Sequence, residues 1–204
     1  MSRRAYLFDS PERFVAGTVG LPGNRTFFLQ ARDGGRIASV VLEKVQVAAL
    51  AHRLAELLEE LRRRGVDAPE SIAPSDVDER PLDEPLVEAF RAGTLTIGWD
   101  PQNEQVVLEA LAMTDADEMD EEEEDDDEEE DEDDGDPDFD ELALADDSIE
   151  GPDFLRVRLS TEATAAFIER SLRVVAAGRP PCPICGRPLD PQGHLCPRKN
   201  GYLN

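Results

Sequence analysis

Residues 13–42 read RFVAGTVGLPGNRTFFLQARDGGRIASVVL. Two turn signals divide this stretch into three apolar runs. In Leu21-Pro22-Gly23-Asn24, proline fixes φ at the second position and glycine accepts positive φ at the third. That order predicts a type II turn between strands over Arg13–Val19 and Arg25–Ala31. Arg32-Asp33-Gly34-Gly35 suits a primed hairpin turn and leads into a third strand, Arg36–Leu42. There Ile37, Ser39 and Val41 alternate with Ala38, Val40 and Leu42, so both faces are apolar or small and the strand is predicted to be central. The first 42 residues therefore read as an antiparallel β-meander.

The period changes at Lys44. Val47, Leu50, Leu54, Leu57, Leu58 and Leu61 recur at three- and four-residue steps, the stripe of an amphipathic helix over Lys44–Arg64. Arg62-Arg63-Arg64 falls where a helix C-terminus favours cations, and Gly65 suits the left-handed position beyond it. The basic triplet thus reads as a helix end rather than a nucleic-acid contact. Pro69, Pro74, Pro81 and Pro85 make 66–85 an irregular connection, and a short helix is expected over Leu86–Arg91. A further hairpin is predicted from Thr94–Trp99 to Glu104–Leu111. Phe154–Leu159 alternates apolar residues with Arg156 and Arg158, a strand with one wet face. Ser160 then caps a helix from Thr161 to about Ala177, stopped by Gly178 and Pro180-Pro181.

The chain has 204 residues and a formal charge of −26, and that charge is concentrated. Residues 113–150 hold 25 acids and no base, including an unbroken acidic run from Asp120 to Asp134; the remainder has 22 acids and 21 bases. The low pI therefore describes an insert within a nearly neutral domain. Self-repulsion and scarce apolar surface predict that 113–150 is extended and disordered. Phe139, Leu142 and Leu144 near its end are the exception, suited to a short element docking on a partner or on the domain itself. The run could occupy a basic surface, bind cations loosely, shield a groove of its own protein, or simply solubilise. No EF-hand spacing is present. Direct nucleic-acid binding is disfavoured by the charge. The N-terminus lacks the apolar length of a signal peptide, and no run approaches a membrane span, so a cytoplasmic protein is expected.

The most specific chemistry lies near the C-terminus. Cys182-Pro183-Ile184-Cys185 is followed, after eight residues, by His194-Leu195-Cys196. The Cys-x2-Cys knuckle lets two thiolates converge on one ion. His194 and Cys196 can complete a tetrahedral Cys3His shell, so Cys182, Cys185, His194 and Cys196 are the candidate Zn2+ ligands. All three cysteines and one of the two histidines are used. His-x-Cys is shorter than the usual second half, and unliganded thiols are the alternative. Four ligands in so short a loop favour a closed, structural ion. Pro181-Cys182-Pro183-Ile184-Cys185 also matches half of the zinc-deaminase signature, but His52-Arg53-Leu54 and His194-Leu195-Cys196 both lack its His-x-Glu half, which excludes deamination.

No phosphate-binding loop, dinucleotide fingerprint or nucleophile elbow occurs. His52 sits between Leu50 and Leu54 on the first helix and reads as a surface or half-buried residue. Trp99, Arg156 and Arg158 could line a pocket for a phosphorylated or nucleotide-like ligand; core filler and a solvated strand face are the plainer reading. The expected fold is α+β: an antiparallel β-meander sheet packed with two helices, and a small C-terminal zinc-knuckle-like appendage. Residues 1–112 and 151–178 form one domain, 113–150 the insert and 179–204 the Cys/His tail. The function these readings favour is a zinc-binding adaptor or regulatory protein with a protein partner.

Several stretches carry a resemblance. Arg4-Ala5-Tyr6-Leu7-Phe8, Phe14-Val15-Ala16-Gly17, the strand-turn run to Leu42, Leu54-Ala55-Glu56-Leu57-Leu58 and Cys182 through Gly201 resemble an actinobacterial family catalogued as domain of unknown function 3090. The likeness spans nearly all the chain outside the acidic insert, and Gly193–Gly201 is its distinctive part. It implies no established activity. Its association with histidine-phosphatase-like and kinase-like proteins implies a place in a phosphate-linked pathway.

Overall fold

The computed structural model describes residues 3–21, 23–73, 77–114 and 151–177. The acidic run and the candidate zinc ligands lie outside these residues. The elements, in chain order, are β1 (Ala5–Asp9), β2 (Arg13–Leu21), β3 (Asn24–Asp33), β4 (Arg36–Leu42), α1 (Lys44–Arg63), β5 (Glu88–Asp100), β6 (Gln105–Ala112), β7 (Phe154–Leu159) and α2 (Thr161–Ala176). The strands form one seven-stranded sheet in the order β1-β7-β6-β5-β4-β3-β2.

The α+β class holds, and the meander holds for β2–β4, whose two hairpins pair Leu21 with Asn24 and Asp33 with Arg36. Gly23 and Gly34 take φ of 96° and 57°, the left-handed values that these tight turns demand of their glycines. The sheet is mixed, not purely antiparallel. β4 and β5 run parallel because α1 carries the chain across between them, and β1 pairs parallel with β7 at the far edge. The short helix expected over Leu86–Arg91 is absent: β5 begins at Glu88, where the free edge of β4 takes its backbone, Val40 opposite Phe90. Six residues are too few to nucleate a helix against a ready-made ladder.

Edge strands β1 and β2 are joined by Ser10–Glu12 alone. Six inter-strand gaps of about 4.8 Å would part them by about 29 Å in a flat sheet. The chain from Asp9 to Arg13 reaches at most about 14 Å. The sheet must therefore twist and curl strongly. Consistent with this, Arg36 at the start of β4 donates to the Leu7 carbonyl at 3.4 Å, and its guanidinium lies 5.1 Å from the Phe8 ring centre on β1. β5 takes the bend: its first residues pair with β4, the rest with β6, and its register shifts between Ala92 and Leu95.

The two helices pack on one another and on one face of the sheet. Leu50, Leu54, Leu57 and Leu61 of α1 and Phe167 of α2 meet Leu29, Val40, Leu108 and Val157 of the strands in a single core. Both helix ends follow their sequence signals. Gly65, at φ 86°, closes α1: its N–H donates to Arg62 at 3.0 Å and that of Val66 to Leu61 at 2.9 Å. Ser160 caps α2 by accepting from the Ala163 N–H at 3.2 Å. β6 and β7 are antiparallel neighbours across the insert, from Val106–Leu159 to Leu111–Phe154.

Candidate functional site

Polar chemistry collects on the sheet face opposite the helices. There the alternation that sends Phe14, Ala16, Leu29 and Ala31 into the core sends Arg13, Val15, Gln30 and Arg32 outward, with Ser39 beside Gln30. Residues 77–87 form a strap around the β2 edge onto this face. Arg13, almost fully buried, donates to Asp78 at 2.6 Å, to Asp83 at 2.7 Å and to the Arg80 and Pro81 carbonyls at 3.0 and 2.9 Å. Arg170 of α2 reaches the same place from the helix layer. It donates to the Ala16 carbonyl at 2.6 Å, to the Arg80 carbonyl at 2.8 Å and to the Asp78 carbonyl. An edge strand's carbonyl and a proline-interrupted loop's carbonyls are thereby satisfied by two guanidinium groups.

Further along, Gln30 grips the strap as a neighbouring strand would. Its carbonyl oxygen accepts from the Asp83 N–H at 2.7 Å, and its amide donates to the Asp83 carbonyl and to Ser39 Oγ, both at 3.0 Å. Leu82 lies directly over Gly17, where a Cβ would come within 2.6 Å of its methyl group. Burial opposes ionisation of Asp78. Hydrogen bonds from the Arg80 and Arg13 side chains and the Arg80 N–H outweigh it and hold the carboxyl well below the usual range. Burial likewise opposes the charge on Arg13, but Asp78 and Asp83 raise its pKa; on Arg170 burial prevails and lowers it.

A second buried ionic group lies on β6 and β7. Glu109 and Arg156 sit opposite one another and form a hydrogen-bonded ion pair, with Glu109 at 1% exposure and Arg156 at 9%. The expectation that Arg156 lies on a wet face is therefore corrected. Arg158 retains partial exposure and pairs with Asp9 at 3.2 Å. Trp99 is opposite Val106, whose other neighbour is Leu159, on the core face, whereas Arg158 shares the opposite face with Val107. Trp99 and the two arginines thus face away from each other across the sheet and form no common pocket. His52 is exposed on α1, as expected.

Cavities among the described residues lie elsewhere. One of about 510 Å3 runs between α1 and the β5 bend, lined by Gln46, Arg53, Gly93 and Thr96 among others. One of about 340 Å3 lies beside the strap, against Gly17, Leu82 and Arg170. Gln46 in the first is already committed, donating to the Ala92 and Gly93 carbonyls at 3.3 and 3.1 Å. Among the described residues no group of three or more His, Cys, Asp or Glu side chains is arranged to hold a metal. The expected ligands Cys182, Cys185, His194 and Cys196 lie outside the described residues.

The family model for Protein of unknown function (DUF3090) matches residues 6–196. The chain belongs to this family. The DUF3090 match begins in β1, takes in both helices and ends at Cys196, so strap, insert and all three cysteines fall within it. No curated protein and no solved structure matches the chain. Among the described residues no helix is long and apolar enough to cross a membrane.

Sequence reasoning passed over the strap residues Arg13, Gln30, Asp78, Asp83 and Arg170. One signal was present: Gln30 interrupts Phe27-Phe28-Leu29 and Ala31, and Ser39 interrupts Ala38 and Val40-Val41. Polar residues inside runs otherwise fit for a buried strand call for polar partners.

Proposed function

We propose that this DUF3090 protein is a cytoplasmic adaptor or regulatory protein whose C-terminal segment is held by one structural Zn2+. The ligands are Cys182, Cys185, His194 and Cys196. One observation carries the reading: every cysteine of the chain, and one of its two histidines, falls in a single Cys-x2-Cys…His-x-Cys segment. Four protein ligands fill a tetrahedral shell, leaving no position for a reacting water. The adaptor part draws support from the use of buried charge. Arg13 and Arg170 hold the strap, and Arg156 is paired with Glu109, so these groups serve the fold.

The test is the metal content of purified full-length protein and of Cys185→Ser. About one equivalent of zinc in the wild type, lost in the variant, is the expected result. A wild-type protein without bound zinc overturns the reading. Affinity capture with the zinc-loaded protein then examines the adaptor role, which fails if no reproducible, zinc-dependent partner is recovered.

A further inference from the structure

β5 outruns its neighbour. Its ladder with β4 ends at Arg91 opposite Val41, because β4 stops at Leu42 and the chain turns into α1, whereas β5 continues to Asp100. Just past the ladder the Gln46 side chain takes the Ala92 and Gly93 carbonyls, and there the cavity of about 510 Å3 opens between α1 and β5. It meets the strand edge-on. Leu95 and Ile97 stand opposite Ala110 and Leu108 on the core face and Thr96 opposite Glu109 on the other face, yet all three line the cavity and keep partial exposure. Only the backbone side of a strand borders both faces. β6 takes the ladder groups on one side of β5, so every second residue of 95–99 aims its N–H and C=O the other way, toward the cavity. Elsewhere the sheet's edges are answered: Arg170 donates to the Ala16 carbonyl of β2, and Arg36 to the Leu7 carbonyl of β1. Thr94-Leu95-Thr96-Ile97-Gly98-Trp99 carries no proline and no charge to deter a further strand.

We propose that this groove takes an extended peptide segment of a partner protein, added as a strand to the β5 edge, with one apolar and one acidic side chain turned toward α1. Main-chain hydrogen bonds to residues 95–99 supply the attachment, and the helix reads the side chains. Leu50, Leu95 and Ile97 offer an apolar wall for the first. Arg53, exposed on α1 at the same cavity, makes no ion pair or hydrogen bond among the described residues, so its guanidinium is available to the second. Arg91, before the groove on β5, is by contrast spent on Glu43 at 2.5 Å. The inference goes beyond the zinc reading and stands without it, since no groove residue is a candidate ligand.

Panning a displayed library of random peptides on the full chain tests it. Enriched peptides are expected to be rich in β-branched and aromatic residues and to carry an Asp or Glu. Arg53→Glu, a surface change that keeps the wild-type urea midpoint, weakens a selected peptide about tenfold, and replacing the peptide's acid with lysine restores binding to the variant. N-methylation of the peptide residues that face β5 weakens binding about tenfold, whereas methylation of their neighbours leaves it unchanged. In the complex, amide exchange slows at every second residue of 95–99. Panning that enriches nothing overturns the proposal, as do enriched peptides that bind Arg53→Glu as tightly as wild type. Succinate competing as well as the peptide would make the cavity a small-carboxylate site, and self-association of the free chain that Arg53→Glu abolishes would give the edge to a second copy; either result also overturns it.

Discussion

Asp78→Asn is the sharpest probe of the strap. The Asp78 carboxylate, about a quarter exposed, accepts from Arg13 at 2.6 Å, from the Arg80 side chain at 2.7 Å and from the Arg80 N–H at 2.8 Å, and faces Arg170 at 3.4 Å. Asparagine keeps one acceptor, removes the charge and turns a donor toward Arg13. Breaking a buried ion pair from one side costs about 3–5 kcal/mol. Arg13 retains Asp83 and two carbonyls, and Asp78 is partly solvated, so the expected loss is about 2–3 kcal/mol. For a chain of this size that lowers Tm by about 5–10 °C. Urea unfolding at pH 7, followed by far-UV circular dichroism, measures it. Arg80→Ala is the control, because that side chain is largely exposed and solvent screens its ion pair, so a much smaller loss than that of Asp78→Asn is expected.

The same carboxylate makes a pH statement. Its folded pKa lies below the ordinary 3.8, so its contribution is fully present above that value. It is lost as pH falls from there toward the folded pKa. The stability gap between wild type and Asp78→Asn is therefore constant at neutral pH and closes below about pH 4. A midpoint for Asp78→Asn within error of wild type, or a gap that widens in acid, refutes the strap as a charge-held element.

Gly17→Ala pushes a methyl group into Leu82 and is expected to cost about 1–3 kcal/mol, read as a lower urea midpoint. Glu109→Ala leaves Arg156 without its carboxylate and is expected to cost about 3–5 kcal/mol. Glu109→Leu/Arg156→Met removes both charges together, and in the same titration it falls within about 1–2 kcal/mol of wild type. Ser160→Ala removes the α2 cap and lowers stability by about 1 kcal/mol, measured by thermal unfolding.

Local signals were legible and long-range partners were not. The Pro-Gly and Gly-Gly turns, the leucine stripe of α1, Gly65 and Ser160 each act within a few residues, and each element formed where its signal stood. The parallel pairs β1–β7 and β4–β5 depend on which edge is free after the rest has assembled, and no residue of Tyr6-Leu7-Phe8 specifies that. Glu88–Arg91 is ambiguous by itself; the neighbouring β4 decides it. Arg156 looked wet because alternation reports which residues share a face, not what lies over that face. The candidate zinc site was read wholly from spacing. The strap could not be, since Arg13, Asp78 and Arg170 meet only through tertiary structure.

The β6–β7 pair shows why a long acidic stretch can interrupt this fold without breaking it. Residues 113–153 join two adjacent antiparallel strands, a place where four residues would serve. Closure entropy grows only logarithmically, so the extra length costs about 2 kcal/mol relative to a tight hairpin. Turn geometry therefore sets nothing here, and the register must come from the strands. Val106, Leu108 and Ala110 face the core with Leu159, Val157 and Leu155, while Glu109 lies against Arg156 on the other side. A slip of one residue would turn Glu109 into the apolar core and leave Arg156 without its partner. The buried ion pair thus fixes an alignment that the acidic connection leaves free, at a cost in desolvation that a hydrophobic pair would avoid. On this account Glu109→Leu/Arg156→Met keeps most of the stability but loses the penalty against misalignment, so its β6–β7 amides exchange faster than those of wild type at equal unfolding free energy.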